Sequence, residues 1–221
     1  SSVERVTRTE IGIPDETFVV HFSFDANSTV ARKNPSAALD AFRLAFADDD
    51  DAIFVLKIRN FQQVESLARH GDASAIGLLR RLREYPQVML LTDHWSYSRT
   101  LGLIAMADVY ISLHRAEGYG YGLAEAAALG TRIIATDYST PELPESSSRI
   151  DYALTELLPG DYFYWCPGMQ WAEPMVAAAA NSLRELRLSF RDAQQPADRA
   201  GGRNSTLVQL SARYSARLAN R

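Results

Sequence analysis

The chain has 221 residues, of which 47% are hydrophobic and 23% are charged, a composition typical of a folded globular protein. A net charge of -4 excludes a general attraction to nucleic acid or anionic membranes, so we expect no nucleic-acid partner. The single cysteine, Cys166, excludes an internal disulfide, and no apolar run approaches the length that crosses a bilayer. We expect a cytoplasmic protein with no export signal. We also expect no structural metal site, because the histidines and the cysteine lack metal-ligand spacing.

Short apolar runs alternate with helical patterns over most of the chain. The first run, residues 17–24, predicts a buried strand. Asn34 predicts the cap of a helix that has Pro35 at its first position and continues to residue 46. The same patterns predict strands at 52–58, 87–93, 108–113 and 132–136, and helices that end near residue 85 and span 97–107 and 121–129. Because strands alternating with helices form βαβ units, we predict an α/β fold: a doubly wound parallel sheet of Rossmann-like type.

The alternation loosens beyond residue 137. A proline- and serine-rich loop (137–148) and an aromatic loop (165–174) precede a helix predicted at 174–187. The predicted organisation is one domain at 1–190, a mobile loop at 191–205, and a helix at 206–221 that closes the same domain.

Residues 114–136, HRAEGYGYGLAEAAALGTRIIAT, join a predicted strand to a predicted helix. In a sheet of this kind, ligands bind at the carboxyl ends of the strands, where a helix N-terminus offers free N–H groups to a phosphate. The glycines at 118, 120 and 122 let the backbone approach such an anion closely. Glu117 and Glu125 flank the glycines, and carboxylates bind sugar hydroxyls through charge-assisted hydrogen bonds. The stretch therefore indicates a nucleoside diphosphate sugar, with one carboxylate for each hydroxylated ring.

The pattern Glu-Gly-aromatic-Gly, with a second glutamate eight positions after the first, resembles the signature of the retaining GT-B glycosyltransferases of family 4. The resemblance covers about residues 10–190. The segment ARKNPSAALDAF (31–42) resembles the family's lysine-bearing loop and first helix. Three further segments are similar to a bacterial surface-polysaccharide branch: VLKI (55–58), ADVYISLHRAEG (107–118) and WAEP (171–174).

The resemblance implies that this chain is the C-terminal, donor-binding half of such an enzyme. The full enzyme would transfer a hexose from UDP- or GDP-hexose to a carbohydrate or lipid-linked acceptor, with retention. It would work in the cytoplasm or peripherally at the inner membrane face. A missing N-terminal domain would bind the acceptor, so we expect this chain alone to bind a donor without turnover.

The resemblance also implies roles for individual residues. Glu117 would bind hydroxyls of the transferred sugar, and Glu125 would bind the nucleotide ribose. Lys33, with either Arg32 or Lys57, would neutralise the departing diphosphate, so neither a metal nor a cofactor is implied. The donor would also contact backbone at Gly118, Tyr119 and Gly120 and in the loop around His94.

Three departures from the family pattern leave an alternative open. Phe24 and then Asp25 stand where an arginine is usual, Arg132 stands where proline is common, and STPELPE (139–145) replaces a more glycine-rich loop. They favour a non-catalytic nucleotide-sugar-binding module as the alternative. A Rossmann oxidoreductase is disfavoured, because FDANSTVARKN (24–34) lacks the Gly-x-Gly-x-x-Gly pattern.

Several candidate residues also have a purely structural interpretation. His114 is expected to be a hydrogen-bonded histidine behind the site, and Trp165 and Trp171 to pack rather than stack on carbohydrate. The Asp-x-Asp pattern at 47–51 is interpreted as a solvated turn, because it does not follow a strand at the ligand edge.

Overall fold

A parallel sheet forms the body of the computed structural model, which describes residues 3–47, 51–140, 142–162 and 164–194. Within these ranges the sheet has six strands in the order β3-β2-β1-β4-β5-β6. The strands are β1 (Phe18–Asp25), β2 (Ala52–Arg59), β3 (Val88–Leu91), β4 (Val109–Ser112), β5 (Arg132–Thr136) and β6 (Ser148–Ile150). The predicted doubly wound, Rossmann-like α/β fold is confirmed.

Helices connect these strands. They are α1 (Val30–Lys33), α2 (Pro35–Phe46), α3 (Phe61–Arg69), α4 (Ala73–Glu84), α5 (Tyr97–Met106), α6 (Tyr121–Leu129) and α7 (Val176–Gln194). Within the described ranges, no helix is long and apolar enough to cross a membrane. The last helix extends into the segment 191–205 that was predicted as a loop. The remainder of that segment, the predicted helix at 206–221 and residues 48–50 lie outside the described residues.

The two faces of the sheet bury separate apolar clusters because alternate side chains of a strand point to opposite faces. On β1, Val20 and Phe22 pack with α2 and α7 in the larger cluster, whereas Val19 packs with Leu103 of α5 in the smaller one. Both faces are therefore covered, as the near-continuous apolar strands predict.

The entry to α2 differs from the predicted cap. Pro35 does begin the helix, but Asn34 has a left-handed backbone (φ 50°) and makes no side-chain capping bond. Asn34 instead ends α1, where its N–H donates to the Val30 carbonyl over 2.9 Å. This arrangement lets α1 and α2 follow one another directly, so that α1 forms a short corner at the end of β1.

The region predicted as an aromatic loop contains a strand. Antiparallel strands β7 (Tyr152–Glu156) and β8 (Gln170–Pro174) form a second, two-stranded sheet. The prediction of a loop through residue 174 was therefore wrong. Trp171 of β8 is only 7% exposed and packs against Ala31 and Leu157, as expected for a packing residue.

The strand order places a crevice at the carboxyl ends of β1 and β4. From β1, the chain continues outward to β2 and β3 on one side, while β4, β5 and β6 lie on the other. Ligands of open α/β sheets bind at such a switch in strand order. Both candidate segments, α1 after β1 and the glycine loop after β4, enter this crevice.

Candidate functional site

Two oppositely charged segments meet across the crevice. Lys33 Nζ donates to Glu117 Oε2 in a very short contact. The Arg32 guanidinium donates to the Ala116 carbonyl over 3.0 Å and lies 3.5 Å from Glu117 Oε1. The three charged side chains are 11–18% exposed. The structure therefore brings the adjacent residues Arg32 and Lys33 together with Glu117, which is 84 residues from Lys33 in the chain.

The cluster contains two cations and one carboxylate, so it has an excess of positive charge. This excess affects the pKa values of both Glu117 and Lys33. Burial alone would raise the pKa of Glu117. The bond to Lys33, the two positive charges and the Gly118 N–H (3.1 Å from Oε1) together bring that pKa below its usual value. Burial lowers the pKa of Lys33, and the neighbouring Arg32 charge acts in the same direction against the effect of Glu117. A second anion placed beside the cluster would relieve this imbalance.

The three glycines of the loop have different structural explanations. Gly120 adopts a left-handed backbone (φ 72°) at the entry to α6. A Cβ at Gly122 would lie 2.1 Å from the Tyr110 hydroxyl, so packing excludes a side chain there. A Cβ at Gly118 would meet nothing within 4 Å, and its φ lies outside the left-handed region. Nothing in the described fold requires glycine at 118, and it borders open space.

The N-terminus of α6 directly follows this loop. The helix begins at Tyr121 after Gly120, and no side chain caps it. Its first N–H groups and the positive end of its dipole are therefore available to an anion. Tyr119 and Tyr121 flank the entrance as exposed rings whose centroids are 4.6 Å apart.

Glu125 lies in the second turn of α6, away from the cation cluster. The hydroxyl of Tyr97, the first residue of α5, donates to Glu125 Oε1 over 2.9 Å. Burial raises the pKa of Glu125 to about 7, although the Tyr97 hydrogen bond opposes the shift. Glu125 is thus a carboxyl group poised between its neutral and charged forms near neutral pH.

Lys57 is held at a separate place. It is 5% exposed on β2, donates to the Asp93 carbonyl, and its Nζ lies 5.3 Å from the ring centroid of Trp95. Burial lowers its pKa, against the charge of Asp93. Arg32 and Lys57 were the two candidates for the second cation beside Lys33. Arg32 is the one that contacts Glu117. The Lys57 side chain instead contacts Asp93 and Trp95 in the loop after β3. His94, in the same loop, is exposed.

His114 is buried behind the glycine loop. Its Nε2 lies 2.9 Å from the Tyr138 carbonyl and its Nδ1 lies 3.0 Å from Ser112 Oγ. Since a carbonyl can only accept, Nε2 carries the proton and Nδ1 accepts from the serine hydroxyl. Burial lowers the pKa of His114, which keeps it neutral. This is the hydrogen-bonded histidine expected from the sequence.

A cavity of about 430 Å³ lies beside Glu117. One wall belongs to the crevice and the other to the β7–β8 region. The lining residues are Arg32, Ala116, Glu117, Gly118, Leu157, Tyr162, Met169, Gln170 and Trp171. The cavity volume is in the range of small-molecule sites. Sequence reasoning missed the second wall because β8 was interpreted as part of a loop and β7 was not predicted.

Two polar residues of this region were also missed by the sequence analysis. Tyr97 bonds to Glu125, and Arg115 bonds to the carbonyl of Ala31 and to the carboxylate of Glu173. The partners of both residues are distant in sequence. The segment HRAEG (114–118) was the only signal for Arg115. Among the described residues, no group of three or more His, Cys, Asp or Glu side chains is arranged to hold a metal ion.

Solved structures share this fold at very low sequence identity. An apo structure of OtsA is 7% identical over 90% of this chain, with a TM-score of 0.51. Anabaena HepE (Alr3699), in complex with UDP and glucose, is 13% identical over 97%, with a TM-score of 0.53. A UDP-forming α,α-trehalose-phosphate synthase from Burkholderia xenovorans is 12% identical over 93%, with a TM-score of 0.51.

The chain has a Rossmann-like GT-B fold. It spans 41–51% of the length of these three structures, so it corresponds to about half of each of them. No protein-family model and no curated protein matches the chain.

Proposed function

We propose that this chain is the donor-binding half of a retaining glycosyltransferase that uses a nucleoside diphosphate hexose. The observation that carries the proposal is the meeting of Arg32 and Lys33 with Glu117 in the crevice. Two cations, one carboxylate and an uncapped helix N-terminus match the two parts of such a donor, an anionic diphosphate and a hydroxylated ring.

The diphosphate is assigned to the cations and the N-terminus of α6. A phosphate bound by Lys33 would neutralise the excess positive charge of the cluster and leave Glu117 free to accept hydrogen bonds. The open space at Gly118 lets the anion approach the backbone. As the bond between the sugar and the diphosphate breaks, charge develops on the leaving oxygens, and the same cations stabilise it.

The two glutamates then bind the rings at either end of the diphosphate. Glu117 accepts hydroxyls of the transferred hexose, which extends into the cavity of about 430 Å³. Glu125, which faces Tyr97 rather than the cavity, accepts the ribose hydroxyls. Backbone at Tyr119 and Gly120 and in the loop around His94 would complete the donor site.

In the proposed reaction, the acceptor hydroxyl attacks the hexose from the face that the diphosphate leaves. The leaving diphosphate takes the hydroxyl proton, so no protein nucleophile and no metal ion are required. A carbohydrate or lipid-linked acceptor would bind a further N-terminal domain, and the enzyme would serve bacterial surface-polysaccharide synthesis at the cytoplasmic membrane face. The shared fold supports the proposal, because the HepE structure holds UDP and glucose.

Calorimetric titration tests the proposal. Wild-type protein, Glu117→Ala and Glu125→Ala are each titrated with UDP, GDP, ADP and their hexose conjugates, with and without EDTA. We expect one nucleotide to bind regardless of EDTA. Glu125→Ala should weaken the bare nucleotide, whereas Glu117→Ala should remove the additional affinity supplied by the hexose without weakening the bare nucleotide.

An absence of binding at millimolar concentration would contradict donor binding by this half alone. Binding of a hexose conjugate without transfer, after the chain is joined to an acceptor domain, would favour the non-catalytic module instead.

A further inference from the structure

Arg115 lies between the cation-bearing corner and the small β7–β8 sheet. Its backbone N–H donates to the Arg32 carbonyl over 2.9 Å, and its guanidinium donates to the Ala31 carbonyl over 2.9 Å. One residue therefore holds two successive carbonyls of α1, immediately before Lys33.

The other side of the Arg115 guanidinium faces β8. It forms a two-pronged ion pair with Glu173, with N–O distances of 2.5 and 3.2 Å. Its carbon Cζ lies 4.9 Å from the ring centroid of Trp171, and the Arg115 carbonyl accepts from the Ala172 N–H over 2.8 Å. Each of the three guanidinium nitrogens donates to a protein group, so these contacts fix α1 and β8 to one another.

This corner is also held by the burial of Val30 and Ala31 and by the bonds of the Arg32 and Lys33 side chains to Ala116 and Glu117. The α1 helix is a single turn, with Lys33 and Asn34 donating to the carbonyls of Thr29 and Val30. A four-residue helix has little intrinsic stability, so its position depends on tertiary contacts. The position of the Arg32 and Lys33 side chains therefore depends on where the Arg115 contacts hold the α1 backbone.

We propose that Arg115 is the positioning residue of the anion site: it holds α1 so that Arg32 and Lys33 face Glu117, and it couples that geometry to β8. This inference rests on the proposed function for the nature of the anion. The positioning itself is a property of the ligand-free chain, and it can be measured without a ligand.

Arg81 supplies a matched control. Its guanidinium also forms a two-pronged pair with a carboxylate, that of Asp40 at 2.7 and 2.6 Å, and donates to a backbone carbonyl, that of Gly77 at 3.0 Å. Its side chain is 18% exposed, against 21% for Arg115. Arg81→Met and Arg115→Met therefore remove comparable bonds, but the bonds of Arg81 reach α2 and its own helix, whereas those of Arg115 reach α1.

The experiment compares wild type, Arg115→Met, Arg115→Lys, Arg81→Met and Lys33→Met by two measurements. Hydrogen exchange, read by mass spectrometry on peptides covering residues 29–34, reports the opening of α1 without ligand. Calorimetric titration with inorganic pyrophosphate measures the affinity of the anion site, which is formed by Arg32, Lys33 and the N-terminus of α6. For Arg115→Met we expect exchange about tenfold faster in α1 and pyrophosphate binding about tenfold weaker, with less than a twofold change for Arg81→Met. Arg115→Lys should resemble Arg115→Met, because lysine cannot bond Ala31 and Glu173 together.

The possible outcomes separate the two proposals. Unchanged exchange in Arg115→Met would overturn the positioning role whatever the ligand results are. Full retention of pyrophosphate affinity in Arg115→Lys, with α1 opened as in Arg115→Met, would show that the charge of Arg115 acts on the anion directly and would also overturn it. If wild type and Lys33→Met both fail to bind pyrophosphate while exchange changes as expected, the proposed function fails and the positioning role stands.

Discussion

Replacing Glu117 by glutamine should strengthen the binding of a bare anion while removing the contribution of the hexose. The glutamine keeps a carbonyl oxygen that accepts from Lys33, so the cations keep their orientation, but the cluster changes from one net positive charge to two. A phosphate bonded to Lys33 would lie about 6 Å from the position of the Glu117 charge. At an effective dielectric constant of about 20, removing that repulsion is worth about 3 kcal/mol.

Salt and residual solvent reduce this figure, because Glu117 is 11% and Lys33 18% exposed. If about half survives at physiological ionic strength, Glu117→Gln binds pyrophosphate with roughly tenfold higher affinity than wild type. Calorimetric titration with pyrophosphate at pH 7.5 measures this, and repeating it at several salt concentrations should give a steeper dependence for the variant. The hexose conjugate of the preferred nucleotide should gain less than the bare nucleotide does.

An equal or lower pyrophosphate affinity in Glu117→Gln would refute this reasoning, provided that urea unfolding shows the variant to be folded. In that case the anion would not bind at the Lys33 and Arg32 pair. Lys33→Met is the complementary control, and it should reduce pyrophosphate affinity by about tenfold or more.

Three further predictions concern the helix entry, the core and the pH dependence of binding. Gly122→Ala should lower the free energy of unfolding by roughly 1–3 kcal/mol in urea titrations because its Cβ meets the Tyr110 hydroxyl. Gly118→Ala should leave stability nearly unchanged and weaken donor binding, and equal losses in both variants would contradict this. Burial lowers the pKa of His21 to about 4. Between about pH 6.5 and 4, His21 is therefore protonated in the unfolded chain but neutral in the folded chain. Stability should therefore fall by up to about 3 kcal/mol over that interval. His21→Leu should flatten the fall and the exposed His70→Leu should not. Because the pKa of Glu125 is about 7, a nucleotide sugar should bind roughly tenfold more weakly at pH 6 than at pH 8. Glu125→Gln should abolish that difference, and a persisting difference would place the titrating group elsewhere.

The first five strands of the main sheet were predictable from sequence because they are apolar runs bounded by turn residues. The three-residue strand β6 (Ser148–Ile150) was not predicted, because it is too short to give such a run and begins at the end of the predicted 137–148 loop. The predicted strand at 132–136 and helix at 121–129 agree with β5 and α6, where Gly120 and Gly130 with positive φ mark both ends of the helix. The β7–β8 sheet was not predictable in this way. Most of β7 is exposed, so it has no apolar pattern to distinguish it from a loop.

The candidate site was partly predictable because residues of one short segment stay close to one another in the folded chain. Glu117 and Glu125 follow from one motif, and the order of α/β units places Lys33 at the same edge of the sheet. The choice between Arg32 and Lys57 was left open, since it depends on contacts between segments. The roles of Arg115 and Tyr97 depend on partners 84 and 28 residues away, which no local pattern reveals.

The strand order also has a consequence for the kinetics of folding. β1 pairs with β2, which is close in sequence, and on its other edge with β4, whose first residue is Val109. Until β4 forms, that edge of a mostly apolar strand offers free N–H and C=O groups to other chains, a known route to aggregation. Closing the long loop between β1 and β4 is slow compared with local pairing. We therefore expect the bond between Lys33 and Glu117 to form late in folding, and aggregation during refolding to compete with the step that creates the anion site.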